Sequence, residues 1–261
     1  MPIKEINLFH QHGRQFVPDL RTASLPAIFR GRPLLDASIL PEEAVRVKQL
    51  CPTGAFGTGD APGTVGDTGC YIDLGACVFC RECEFALPDK IRFTNDHRLA
   101  TNIRAELIVR QGEDRRITLD ESRIRKEIRI LFRNALKLRQ VSAAGDNATE
   151  MELNAAGNVN FDMGRYGIEF VASPRHADGI VITGPVSANM AAALQICYDA
   201  TPEPRIIILA GTNAISGGIF AGSPALHREF TEIYPADLYV PGNPPHPLTF
   251  INGILDLLGK P

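Results

Sequence analysis

The sequence contains no run of 18 consecutive apolar residues, the length a membrane-spanning helix needs. It has little excess charge: 27 Lys and Arg stand against 30 Asp and Glu, a net charge of −3. That balance excludes a strongly basic nucleic-acid binder and an acidic solvating tail. The opening stretch, MPIKEINLFHQHGRQF, lacks the apolar core and small-residue cleavage site of a secretory signal, so a cytoplasmic location is expected. Apolar residues are not scarce. At 44% of 261 residues they suffice for a core, in one large domain or two small ones, and global disorder is excluded.

The six cysteines, Cys51, Cys70, Cys77, Cys80, Cys83 and Cys197, are few but clustered. In a reducing compartment clustered cysteines hold metal more often than they form disulfides. Cys77-Val-Phe-Cys80-Arg-Glu-Cys83 has the spacing C-x2-C-x2-C, which wraps three thiolates round one face of a cubane cluster and leaves a fourth to come from elsewhere. In two-cluster bacterial ferredoxins the run continues x3-C-P, and that last cysteine serves the other cluster. Here the proline is present as Pro88 and the cysteine is Leu87. Cys51-Pro52 has the form of the end of an earlier motif. Counting back at the same spacing places its three missing partners at Val47, Ala44 and Pro41. One ligand set is therefore absent (Pro41, Ala44, Val47, Leu87) and one is whole (Cys51, Cys77, Cys80, Cys83). Residues 1–104 resemble a two-cluster ferredoxin domain reduced to one [4Fe–4S] site. A structural zinc site is the alternative, although zinc knuckles usually come as two separate C-x2-C pairs. Cys70 is the substitute ligand if Cys51 is not one, and Cys197 reads as core packing.

Pro41 and the following acidic residues predict a short helix over 41–50. Residues 57–69 are turn-rich. ELIVR (106–110) and RRITL (115–119) read as a hairpin. Residues 121–140 show apolar positions at helical spacing with a basic opposite face, and predict a connector helix. The apolar runs 168–173, 179–184 and 205–211 have the composition of strands buried on both faces. Helices are predicted over 187–200 and 248–260. Strands alternating with helices imply an α/β domain with a parallel sheet. The expected division is 1–104, then hairpin and connector over 105–140, then 141–261.

The segments 165–170, 173–178, 183–186, 216–220 and 241–245 (RYGIEF, SPRHAD, TGPV, SGGIF, PGNPP) resemble the small electron-transfer subunit of group 4 [NiFe] hydrogenases. That subunit recurs in formate hydrogenlyase and as the 20 kDa subunit of complex I. FRGRPLLD (29–36) resembles the ferredoxin-like subunit of the same complexes, so the chain looks like a fusion of the two. The resemblance implies a flavodoxin-like α/β domain behind a small α+β ferredoxin-like domain. It implies a large-subunit homologue and membrane-arm subunits as partners, at the cytoplasmic side of a membrane. It also implies a second cluster, whose four cysteines correspond here to Asp146, Thr149, Asn213 and Asn243. Neutral hydroxyls and amides are poor iron ligands, so this proximal cluster is expected to be lost. A polar or hard-cation site formed with Glu150 and Glu152 is one alternative, and mutual hydrogen bonding is the other. His176 and His246 read as loop residues. The resulting expectation is an accessory or electron-transfer subunit of an oxidoreductase-type complex, with one [4Fe–4S] cluster and not catalytic by itself. The alternative is a scaffold whose metal only stabilises the fold.

Overall fold

The computed structural model describes residues 16–60 and 69–260, so most of the turn-rich stretch 57–69 lies outside the described residues. In chain order the elements are β1 (Pro33–Leu35), α1 (Pro41–Leu50), β2 (Phe56–Thr58), β3 (Cys70–Asp73), α2 (Glu82–Ala86), β4 (Ile91–Phe93) and β5 (Ile108–Arg110). Next come α3 (Lys126–Leu131), β6 (Leu136–Ser142), α4 (Ala148–Ala156), β7 (Ile168–Phe170), β8 (Gly179–Thr183) and α5 (Ala188–Ala200). The chain closes with β9 (Ile206–Ala210), α6 (Thr212–Ser216), α7 (Glu229–Ile233), β10 (Leu238–Val240) and α8 (Pro247–Leu258).

The C-terminal half is built on a five-stranded parallel sheet in the order β10-β9-β8-β6-β7. Strands β8 and β9 are buried at every residue, as their β-branched runs predict. The chain passes from β6 to β7 on one side and returns past β6 to β8 on the other. This is the doubly wound order of flavodoxin-type sheets, with its switch point between β6 and β8. Helix α8 is apolar nearly all round and buried at eleven of its twelve positions, so it packs as a core element.

Two expectations fail here. Residues 121–140 do not form one helix. A 3-10 turn (Glu121–Arg123) and the short α3 are followed by β6. Leu136, Leu138 and Val141 are buried while Lys137 is exposed, and parallel pairing with both β7 and β8 outweighs the local helical spacing. The hairpin also fails. Only 108–110 is a strand, and it pairs with β3 in an antiparallel β2-β3-β5 sheet. Residues 115–119 are irregular, and Ile117 is buried in the core. The 105–140 connector is thus divided, its first strand going to the N-terminal half and its end to the parallel sheet.

The two halves share one packed body. Thr101 pairs with Tyr239 through reciprocal backbone bonds of 3.1 and 2.8 Å, covering the β10 edge. Leu20 is buried in the same apolar cluster as α8. A Cβ on Gly253 would lie 2.5 Å from that of Ala100, so glycine sets how closely α8 approaches the N-terminal half.

Candidate metal centre and the positions that lack cysteine

Cys51, Cys77, Cys80 and Cys83 line a single recess with Ala55, Phe56, Ile72 and Phe93. Four separate pieces of local structure bring them there. Cys51 caps the C-terminus of α1, its N–H donating to the Lys48 carbonyl at 3.3 Å. Cys77 follows β3, and its N–H donates to the Asp73 carbonyl at 2.9 Å. The Asp73 carboxylate is in turn held by Arg104 at 2.8 and 2.6 Å and by the Gly75 N–H at 2.8 Å. Cys80 sits between Phe79 and Arg81, both in the left-handed region (φ 53° and 68°). Such conformations are uncommon outside glycine, and here they curl the loop round the recess. Cys83 lies in α2.

The recess treats sulfur as an acceptor. Phe56 N–H donates to Cys51 Sγ at 3.4 Å, and Phe79 N–H donates to Cys77 Sγ at 3.3 Å. Burial pushes the Cys77 thiol far up, and the neighbouring thiols of Cys83, Cys51 and Cys80 raise it further. Cys83 is pushed up to about 12, first by burial and then by Cys80 and Cys51. Four thiolates so placed repel one another, so a bound cation is what would let them coexist deprotonated. The donor set and the N–H···S bonds fit an iron–sulfur group. Among the described residues, no three of His, Cys, Asp and Glu converge as tightly as ligands of a single ion. None of the six cysteines is in a disulfide. Cys70 is buried in β3 outside this recess, and Cys197 packs from α5 against the core, as expected.

Three of the four positions without cysteine in the N-terminal half are occupied by packed side chains. Ala44 and Val47 on α1 and Leu87 after α2 are buried in the main apolar cluster with Phe56 and Ile91, while Pro41 is exposed at the start of α1. The positions in the C-terminal half are polar. They gather where the carboxyl ends of β6, β8 and β9 meet the 241–245 loop, beside the switch point. Glu150 Oε1 accepts from Ser142 Oγ at 2.7 Å and from Thr183 Oγ1 at 2.5 Å, while Oε2 is buried without a partner. Thr149 Oγ1 faces the backbone of Gly211 (φ +90°), where a Cβ would stand 2.7 Å away. Asn213 is 7% exposed and its Oδ1 has no partner. Asp146 and Asn243 are exposed, and Asp146 Oδ1 merely accepts from the Ala148 N–H at 3.1 Å. The structure therefore brings Thr149 and Asn213 into the interior with Glu150 and leaves Asp146 and Asn243 at the surface.

Three functional neighbours carried no signal in the sequence. Thr212 Oγ1 donates to the Cys77 carbonyl at 2.7 Å, joining the cysteine recess to the polar positions. Arg228 donates to the carbonyls of Pro185, Asn213, Ala214 and Ile215 at 2.9–3.3 Å, and burial lowers its pKa. The Asp73–Arg104 pair steadies Cys77. His176 is exposed. His246 is wedged edge-on between the rings of Phe29 and Phe161, and its Nδ1 accepts from the Leu248 N–H to cap α8. Burial pushes its pKa down to about 4.

Comparison with known proteins bears on the C-terminal half. Residues 147–257 match the family model described as NADH ubiquinone oxidoreductase, 20 kDa subunit. The probable membrane-bound hydrogenase subunit mbhJ of Pyrococcus furiosus is 35% identical over 120 residues, which are 46% of this chain and 72% of that protein. An NADH-quinone oxidoreductase subunit of Heliobacterium modesticaldum is 44% identical over 111 residues, 42% of this chain and 63% of its own length. A chain of the membrane-bound sulfane sulfur reductase, an archaeal respiratory membrane complex, aligns over 50% of this chain and 72% of its own, at a TM-score of 0.45 and 25% identity. Through its parallel-sheet half, with its switch point and PGNPP loop, this chain belongs to the family of the 20 kDa subunit of NADH ubiquinone oxidoreductase.

Proposed function

We propose that this chain is an iron–sulfur subunit of a membrane-associated complex related to membrane-bound hydrogenase and NADH-quinone oxidoreductase. On this reading its first 104 residues, with β5, form a ferredoxin-like unit fused to the 20 kDa-type domain. The observation that carries it is the convergence of Cys51, Cys77, Cys80 and Cys83 on one apolar recess. A [4Fe–4S] cluster there would supply one-electron transfer. The protein supplies the four sulfurs, two N–H donors to them and a surround of Phe56, Ile72 and Phe93 that excludes water. Such hydrogen bonds and burial are among the factors that set a cluster's potential.

The second cluster of the family does not fit this chain. Asp146, Thr149, Asn213 and Asn243 offer no thiolate, and two of them lie at the surface. The relay towards a large-subunit homologue is therefore interrupted in the α/β domain. A cluster in the cysteine recess would need a route for electrons other than this domain, whose own role would be docking to the large subunit and membrane arm. No helix among the described residues is long and apolar enough to cross a membrane. On this reading the subunit is peripheral, on the cytoplasmic side. A second reading, a scaffold whose cluster only staples the fold, is favoured by the place of Cys77 within the main apolar cluster.

Iron and acid-labile sulfide per chain, measured on protein purified without oxygen, test both readings. About four of each are expected, with an EPR signal on reduction. About eight would restore the second cluster and overturn the interrupted relay. One zinc and no iron would overturn the cluster itself. A cluster that never changes redox state but whose removal unfolds the chain would decide for the scaffold.

A further inference from the structure

The geometry points to a binding site for a small polyanion, an oligophosphate group, in the cleft between the N-terminal half and α8. This proposal does not depend on the cysteine recess. The cleft has a volume of about 1080 Å³, and seven Lys and Arg line it against four Asp and Glu. Ligand sites typically run from about 300 to 1,000 Å³, so a pyrophosphate or triphosphate fits with room for water.

Two buried side chains in its wall keep nitrogens without a hydrogen-bond partner. Arg32 is 6% exposed; its Nη2 donates to Asp114 at 2.6 Å, but Nε, 3.5 Å from Asp96, and Nη1 make no hydrogen bond. His97 beside it is also 6% exposed, and its Nε2 has no partner. Buried polar groups are nearly always satisfied, and leaving a buried guanidinium N–H unpaired is destabilising. Arg32, held by Asp96 and Asp114, adds its charge to the wall, and its unpartnered nitrogens would meet an anion oxygen only on turning towards the cleft.

The charge distribution selects a polyanion. Arg21 and Arg98 share the Asp256 carboxylate. Arg92, Arg116 and Arg133 line the cleft, are exposed, and have no ion pair among the described residues. A single monovalent anion can answer only one of these forks. Linked phosphates present several anionic oxygens, each suited to a guanidinium. No Phe or Tyr among the described residues lines the cleft, so it offers a nucleobase no platform of that kind. Recognition is of the phosphates alone.

The test is calorimetric titration of the full-length protein, purified without oxygen, with sodium tripolyphosphate at low salt. One site per chain is expected, and ATP should bind within a few-fold of tripolyphosphate. The double variant Arg116→Gln/Arg133→Gln should weaken binding at least tenfold. These side chains are exposed and unpaired, so an unchanged melting temperature and iron content will show that the fold persists. Arg46→Gln/Arg175→Gln, on other faces, should leave the affinity unchanged. Absence of binding, or equal affinity in the two double variants, would overturn the proposal. So would an acidic peptide such as oligoglutamate binding more tightly than tripolyphosphate, since the cleft would then be a protein-docking surface.

Discussion

Ala44, Val47 and Leu87 are packed into the main core, whereas Thr149, Glu150 and Asn213 stay polar, and Glu150 and Asn213 keep unpartnered oxygens in the interior. Both groups stand at or beside positions where the resemblance to ferredoxins and hydrogenase small subunits places cluster ligands. In the first region, aliphatic side chains occupy the space and add burial, the larger ones contributing about 1.5–3 kcal/mol each if fully buried. In the second, Ser142 and Thr183 hydroxyls tie down one Glu150 oxygen and leave the other bare. Burying polar groups without partners costs stability. In the N-terminal half three of these positions pack as core, while in the C-terminal half Thr149, Glu150 and Asn213 are polar side chains in the interior.

The sharpest way to break that contrast is to restore each cysteine set. The quadruple variant Asp146→Cys, Thr149→Cys, Asn213→Cys and Asn243→Cys should raise iron from about four to about eight per chain after reconstitution. The set Pro41→Cys, Ala44→Cys, Val47→Cys and Leu87→Cys should gain none, because three of these positions are packed into the core and the fourth is at the surface. Equal gains would show that both positions are equally vacant. Conversely, Cys77→Ser should bring iron below about one per chain, measured by the same assay.

Single truncations probe the same contrast at smaller amplitude. Leu87→Ala should cost about 2–5 kcal/mol, the usual range for a buried leucine. Asn213→Ala should change stability by less than about 1 kcal/mol, since its Oδ1 makes no bond to lose. Denaturant melts of the two variants, side by side, read the difference. A large loss at Asn213 would mean that its amide is an organising group.

A further contrast lies between the regions, at His246. Its folded pKa of about 4 is below the ordinary 6.5, because burial disfavours the charged ring and His97 adds repulsion. The stability of the neutral form is present above pH 6.5 and is lost as pH falls towards 4. His246→Asn, which can still cap α8, should flatten the fall in melting temperature across that same interval. An unchanged slope would assign that pH dependence to other groups.

Much of this was legible in the chain itself. The β-branched runs at 179–183 and 206–210 read as buried strands and are buried throughout, and Pro41 with its acidic neighbours marks a helix that begins and ends where expected. The C-x2-C-x2-C spacing and the Cys51-Pro52 pair named the four residues that share the recess. What misled was local periodicity. Leu136 and Leu138 fit a helical stripe as well as an alternating strand, and only the flanking strands β7 and β8 decide between them. Ile108–Arg110 has a plausible hairpin partner nearby in sequence, yet pairs with β3 far earlier in the chain.

The sequence by itself determined which residues can hold a soft metal and which cannot, because thiolate is a property of the side chain. It also determined the parallel α/β class, because buried strands need unbroken apolar runs. The tertiary structure alone decided which of the positions without cysteine lie in the core and which are polar. It placed Thr212 on the Cys77 carbonyl, and Arg32 and His97 in the wall of a cationic cleft. Those outcomes depend on contacts between segments far apart in the chain, and no local pattern specifies the partner across such a distance.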